Sequence, residues 1–102
     1  MTPVDLDAAR AATELTEEQK SAARELVRAH GSRKGLNGRR RWHYVAPDRS
    51  IPHVYVDPDI AAGLERGECA LATDDSETYL VDMKTAEILL HQDPTTLLFL
   101  NR

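Results

Sequence analysis

Trp42-His43-Tyr44-Val45-Ala46 and Ile51-Pro52-His53-Val54-Tyr55-Val56, parted by Pro47-Asp48-Arg49-Ser50, decide how this chain is read. Aromatic and β-branched residues crowd both runs, and turn-forming residues stand between them, so the stretch reads as a β-hairpin. With the turn centred on Asp48 and Arg49, opposed residues alternate onto two faces. One face would carry Trp42, Tyr44, Ile51, His53 and Tyr55. The other would carry His43, Val45, Val54 and Val56. A slip of one residue would mix these sets, so the register decides which side chains meet solvent.

The sequence on either side completes an α+β pattern. Upstream, Thr16 with Gln19 forms a capping box, and Glu17 and Glu18 suit the positive end of a helix dipole. Ala22, Ala23, Leu26, Val27 and His30 then recur at helical spacing, and Gly31 supplies a stop, which predicts a helix over about 17–30. Three glycines between 31 and 38 mark a loop. Downstream, Asp57-Pro58 opens a short helix whose apolar stripe is Ile60, Ala61 and Leu64, closed by Gly67. Cys69 to Ala72 and Thr78 to Val81 read as a second hairpin around Asp74-Asp75-Ser76-Glu77. Asp82 can cap a helix that runs through about His91, Asp93-Pro94 breaks it, and Thr96 to Leu100 suits a buried last strand. The expected architecture is one amphipathic helix followed by ββαββαβ with mainly antiparallel strands. Residues 1–14, Ala-rich and without an apolar stripe, read as a flexible or weakly helical N-terminus, and 15–102 as a single domain.

Composition limits the function classes. The 102 residues are 41% apolar and 29% charged, as in a globular domain rather than a disordered chain. Cys69 is the only cysteine, which excludes an intramolecular disulfide and any paired-cysteine zinc motif. No apolar run approaches the ~20 residues that span a bilayer, and the start lacks a signal-peptide pattern, so a cytoplasmic setting without membrane contact is expected. No glycine-rich phosphate loop, nucleophile elbow or calcium loop is present. His43 and His53 fall on opposite faces in the expected register, which argues against a paired acid and base. His30 and His91 sit at helix C-termini, where the dipole favours a cation. Asp57 and Asp59 read as capping residues. No catalytic residue, metal site or cofactor is expected.

Charge is distributed unevenly. Between His30 and Ser50 the chain carries +5, while the rest sums to −9. Clustered arginine beside aromatic residues is how proteins meet phosphates and unstacked bases. Arg33, Lys34, Arg39, Arg40, Arg41 and Arg49 are the candidate phosphate contacts. Trp42, Tyr44 and Tyr55 are the candidate stacking residues, with His53 beside them. The reading is a small non-enzymatic module that touches RNA or single-stranded nucleic acid. A protein-interaction or regulatory module, with a partner protein or a second copy of the chain, is the alternative, because Trp, Tyr and Arg are also enriched at protein interfaces.

Tyr55, Val56, Leu64, Gly67, Ala70, Tyr79, Val81, Ala86, Glu87, Asp93 and Pro94 also follow a family pattern. From about Trp42 onward the chain resembles the C-terminal domain of the YaiL-like family of small bacterial proteins, labelled nucleoprotein or polynucleotide-associated. The matched positions are mostly scaffold: strand residues, a helix stop and a helix break. The resemblance implies the fold, an association with nucleic acid, and no catalytic residue.

Overall fold

The computed structural model describes residues 3–46 and 49–101. Pro47 and Asp48 of the expected turn, and Met1, Thr2 and Arg102 at the ends, lie outside the described residues. The chain folds into a short helix α1 (Leu6–Ala11), a longer α2 (Glu17–His30), strands β1 (Arg40–His43) and β2 (His53–Val56), and α3 (Pro58–Glu65). Strands β3 (Cys69–Thr73) and β4 (Thr78–Asp82) follow, then α4 (Met83–Gln92), a 3-10 turn at Pro94–Thr96, and β5 (Leu97–Phe99). The fold is α+β, as expected. Its strands form two antiparallel sheets, a β1–β2 ribbon and a three-stranded sheet in the order β4-β3-β5.

Strand β3 organises the molecule. It pairs with β4 along one edge and β5 along the other, and its side chains alternate in size with the pleat. Ala70 and Ala72 face one way, where their small volume lets helices approach, and pack with Ala23 and Val27 of α2, Ala86 and Leu89 of α4, and Leu97. Leu71 faces the other way and packs with Leu64, Leu80 and Leu98, against which Trp42, Tyr44, Val54 and Ile60 close. The result is three layers: helices, sheet, then ribbon with α3. Fully burying one of these leucines contributes about 1.5–3 kcal/mol, so both sides of β3 are needed.

The caps follow the sequence signals with two exceptions. The Thr16 hydroxyl accepts from the Gln19 N–H at 3.2 Å, and the Gln19 side-chain Oε1 accepts from the Thr16 N–H at 2.9 Å. Asp82 accepts from the Thr85 N–H at 2.8 Å at the start of α4. Asp57 makes no side-chain cap bond to α3, although Pro58 does begin it. Gly31 ends α2 in extended rather than left-handed backbone. Its lack of a side chain matters because a Cβ there would strike the Val27 carbonyl and the Tyr79 side chain. In residues 3–14, Leu6 is buried, Asp5 caps α1 through the Ala8 N–H, and the Val4 N–H bonds to the Leu100 carbonyl at 2.8 Å.

Two buried polar residues tie distant segments. Asn101 donates from Nδ2 to the carbonyls of Leu64 (3.1 Å) and Glu65 (3.2 Å), satisfying the open C-terminal end of α3. Asp74 accepts through Oδ1 from the N–H groups of Ser76 and Glu77, both at 2.9 Å, and lies 3.4 Å from Arg28 Nη1. The Glu77 N–H, foremost, with the Ser76 N–H and Arg28, holds its carboxyl below the usual range despite burial.

Asn101→Ala should destabilise the protein by about 1–3 kcal/mol, the cost of leaving buried carbonyls unpaired, as measured by urea denaturation. Unchanged stability would mean that the α3 end draws nothing from this contact. Asp74 and Asp82 both have lowered folded-state pKa values, so their contribution is present above the ordinary Asp value of ~3.9 and fades as pH falls through the folded values. Asp74→Asn should therefore cost about 1–2 kcal/mol at pH 7, with a smaller gap from the wild type near pH 3. A gap independent of pH would contradict the charge-assisted role.

Candidate functional site

The β1–β2 ribbon carries the residues that the sequence singled out, in a different register from the one expected. Arg40 lies opposite Val56, Arg41 opposite Tyr55, Trp42 opposite Val54, and His43 opposite His53. Towards the tip, the Tyr44 N–H bonds to the Pro52 carbonyl and the Ala46 N–H to the Ser50 carbonyl. Three residues, 47–49, thus separate the last pair, where four were expected. Arg49 closes this loop: its N–H bonds to the Ala46 carbonyl at 2.8 Å, and its φ of 67° is left-handed. Three-residue hairpin loops commonly end on such a residue, usually glycine. An arginine there gives no sequence signal, and the register moves by one.

That single step exchanges the faces of the β1 side relative to β2. Trp42 and Tyr44 face inward with Val54 onto the Leu71 side of the sheet. The Trp42 ring meets Phe99 edge-on, with centroids 5.2 Å apart. Its Nε1–H is buried without a partner among the described residues. Both rings are half-buried against the Leu71 cluster, on the opposite side of the ribbon from Tyr55.

The outward face carries three opposed pairs: Arg41 with Tyr55, His43 with His53, and Val45 with Ile51. Here His43 joins the face, contrary to the expected separation of the two histidines. Their ring centroids lie 5.5 Å apart, and His53 meets Tyr55 edge-on at 5.2 Å. Tyr55 is 43% exposed, and Val45 and Ile51 are 51% and 66% exposed. The face therefore grades from an arginine and a phenol, through an imidazole pair, to an apolar tip.

The basic residues divide into two groups. Arg33 donates to the Thr78 carbonyl at 2.7 Å, lies 3.9 Å from Glu77, and covers the Tyr79 ring at 5.9 Å. Arg40 pairs with Glu65 at 3.3 Å. On α2, Arg24 is bound to Asp75 and Arg28 to Asp74. The acidic turn at 74–77 thus holds three arginines against the body of the protein. Lys34 is exposed along a separate groove with His30, Asp57, Asp59 and Glu68, so Arg33 and Lys34 do not extend the ribbon surface. Arg39 and Arg41 are exposed and form no ion pair among the described residues. Arg49 is exposed at the tip.

The remaining chemistry is sparse. Burial, and secondarily Glu68, pushes the Cys69 thiol up, away from a reactive thiolate. Among the described residues no three His, Cys, Asp or Glu side chains gather as a metal-holding group. No described helix is long and apolar enough to cross a membrane. A mainly apolar groove of about 320 Å³ runs between the N-terminal segment, the end of β1 and β5, lined by Leu6, Tyr44, Val45, Leu98 and Phe99 among others.

Neither the curated proteins nor the solved structures contain a match to this chain. A family model described as an uncharacterized protein conserved in bacteria (DUF2058) matches residues 4–102, and the chain belongs to that bacterial family.

Proposed function

We propose that the outer face of the β1–β2 ribbon binds RNA or single-stranded nucleic acid, as a non-enzymatic module working in the cytoplasm. The observation that carries this reading is the neighbourhood of Arg39 and Arg41, cations without an acidic partner among the described residues, and the exposed ring series Tyr55, His53 and His43. Guanidinium groups meet phosphate oxygens, and exposed aromatic or imidazole rings accept an unstacked base on their faces. The likeness to YaiL-like proteins, labelled polynucleotide-associated, points the same way. Compared with the sequence reading, the proposed contact set loses Trp42 and Tyr44, gains His43, and draws its charge from Arg39, Arg41 and Arg49 rather than from Arg33 and Arg40. The −9 carried by the rest of the chain repels phosphate, so binding is expected to be modest and salt-sensitive.

A second reading rests on Val45 and Ile51. Two opposed, exposed aliphatic residues at a ribbon tip suit a protein partner or a second copy of the chain. Under that reading, light scattering should give a mass that rises with concentration and falls back in Ile51→Asp.

Fluorescence anisotropy of a labelled mixed-sequence RNA at ~50 and ~200 mM salt tests the first reading. Arg39→Ala/Arg41→Ala should weaken binding and flatten the log–log salt slope by about 1.4, at ~0.7 per phosphate contact on a single strand. Tyr55→Ala should cost about 1–3 kcal/mol, the usual worth of one stacked base. Absence of binding at the lower salt, or an unchanged slope in the double variant, would discard the site.

A further inference from the structure

The register that exposes the ring series also opposes two imidazole donors on one face of the ribbon. We infer that His43 and His53 form a two-imidazole site for a divalent transition metal of the Zn²⁺ or Ni²⁺ class. The argument starts from the backbone. His43 and His53 are directly opposed in an antiparallel ladder, where Cβ atoms stand roughly 4.5–5.5 Å apart and side chains leave on the same face. Their ring centroids are 5.5 Å apart and their planes 61° from parallel. A metal–nitrogen bond of about 2.0–2.1 Å puts the metal about 3.2 Å from each ring centre, so two imidazoles at near-tetrahedral angles hold their centroids roughly 5 Å apart. The two rings already stand at close to that spacing. Both side chains are exposed, so their χ angles are free to turn one nitrogen of each towards a common point.

The surroundings specify the class of ion. Imidazole suits Zn²⁺, Cu²⁺ and Ni²⁺, whereas Mg²⁺ and Ca²⁺ need oxygen ligands. Among the described residues, the other members of the outer ribbon face are Arg41, Tyr55, Val45 and Ile51, none of them a carboxylate. Tyr55 packs edge-on against His53 and limits its rotation, which lowers the ordering cost of binding. Arg41, two residues from His43 on the same face, opposes a bare dication and favours an anion in one of the positions that water would otherwise fill. Two protein ligands make this a weak, exchangeable site, with a dissociation constant on the order of micromolar or above rather than that of a structural zinc.

The test is a calorimetric titration of the intact protein with ZnCl₂ and NiCl₂, without nucleic acid, and with MgCl₂ as a control. One transition-metal ion should bind per chain and Mg²⁺ should not. His43→Gln and His53→Gln should each weaken binding by at least about tenfold, while His30→Gln/His91→Gln should leave it unchanged. Imidazole nitrogen NMR shifts in the wild type give the same answer without mutation: the His43 and His53 signals should move together on adding Zn²⁺. No binding up to about millimolar metal, or binding that survives both single variants, would overturn the site. Because no RNA is present, that failure would leave the nucleic-acid reading standing.

Discussion

Everything in this protein depends on one strand having both faces and both edges occupied. β3 alternates alanine and leucine, and the alternation sets the spacing of the layers. Where Ala70 and Ala72 project, α2 and α4 come close. Where Leu71 projects, its bulk is met by Leu64, Leu98 and the inner side of the ribbon. A strand of this kind cannot slip, since a one-residue shift would put leucine into the helix side and alanine into the ribbon side. The ribbon is in turn held by the second of these faces, through Trp42, Tyr44 and Val54. Its outer face is thus presented by a packed support rather than by a loop.

Electrostatics does a second, separate piece of organisation. A chain with net charge −4 still has arginines enough for two purposes. Arg24, Arg28 and Arg33 face the acidic turn between β3 and β4, and Arg40 faces the end of α3. These pairs are mostly exposed, and each contributes little to stability, about 0–1 kcal/mol. Their larger effect is on the surface potential: they offset four arginines, while Arg39 and Arg41 beside the ribbon form no ion pair among the described residues. The basic segment of the sequence is therefore not a basic patch of the same extent. It is a short patch at Arg39 and Arg41, at the end of the ribbon away from its tip.

Much of the fold was legible because its signals are local. The Thr16–Gln19 box, Pro58, Asp82 and Asp93-Pro94 each mark a boundary through bonds made within a few residues, and the structure has elements beginning or ending there. The strands declared themselves by composition, and the element order followed. The candidate surface was less legible. Which face of the ribbon is outward depends on whether its loop holds three residues or four, and that depends on Arg49 adopting a left-handed φ. An arginine does not advertise that conformation as glycine would, so the sequence hides the pairing of His43 with His53 and places Trp42 on the face of Tyr55. Partner choice among the arginines was equally hidden, since Asp74 and Asp75 lie about 40 residues or more from the cations they meet.

The bond from Val4 to Leu100, with Pro3 bridged to Asn101, closes the described chain almost into a ring. Residues 3 and 101 therefore share one corner of the fold, beside the groove where His43, Tyr44 and Val45 meet β5. This adjacency gives a direct gauge of integrity: dyes attached at positions 3 and 101 stand together in the folded chain and part when it opens, whatever the ribbon has bound.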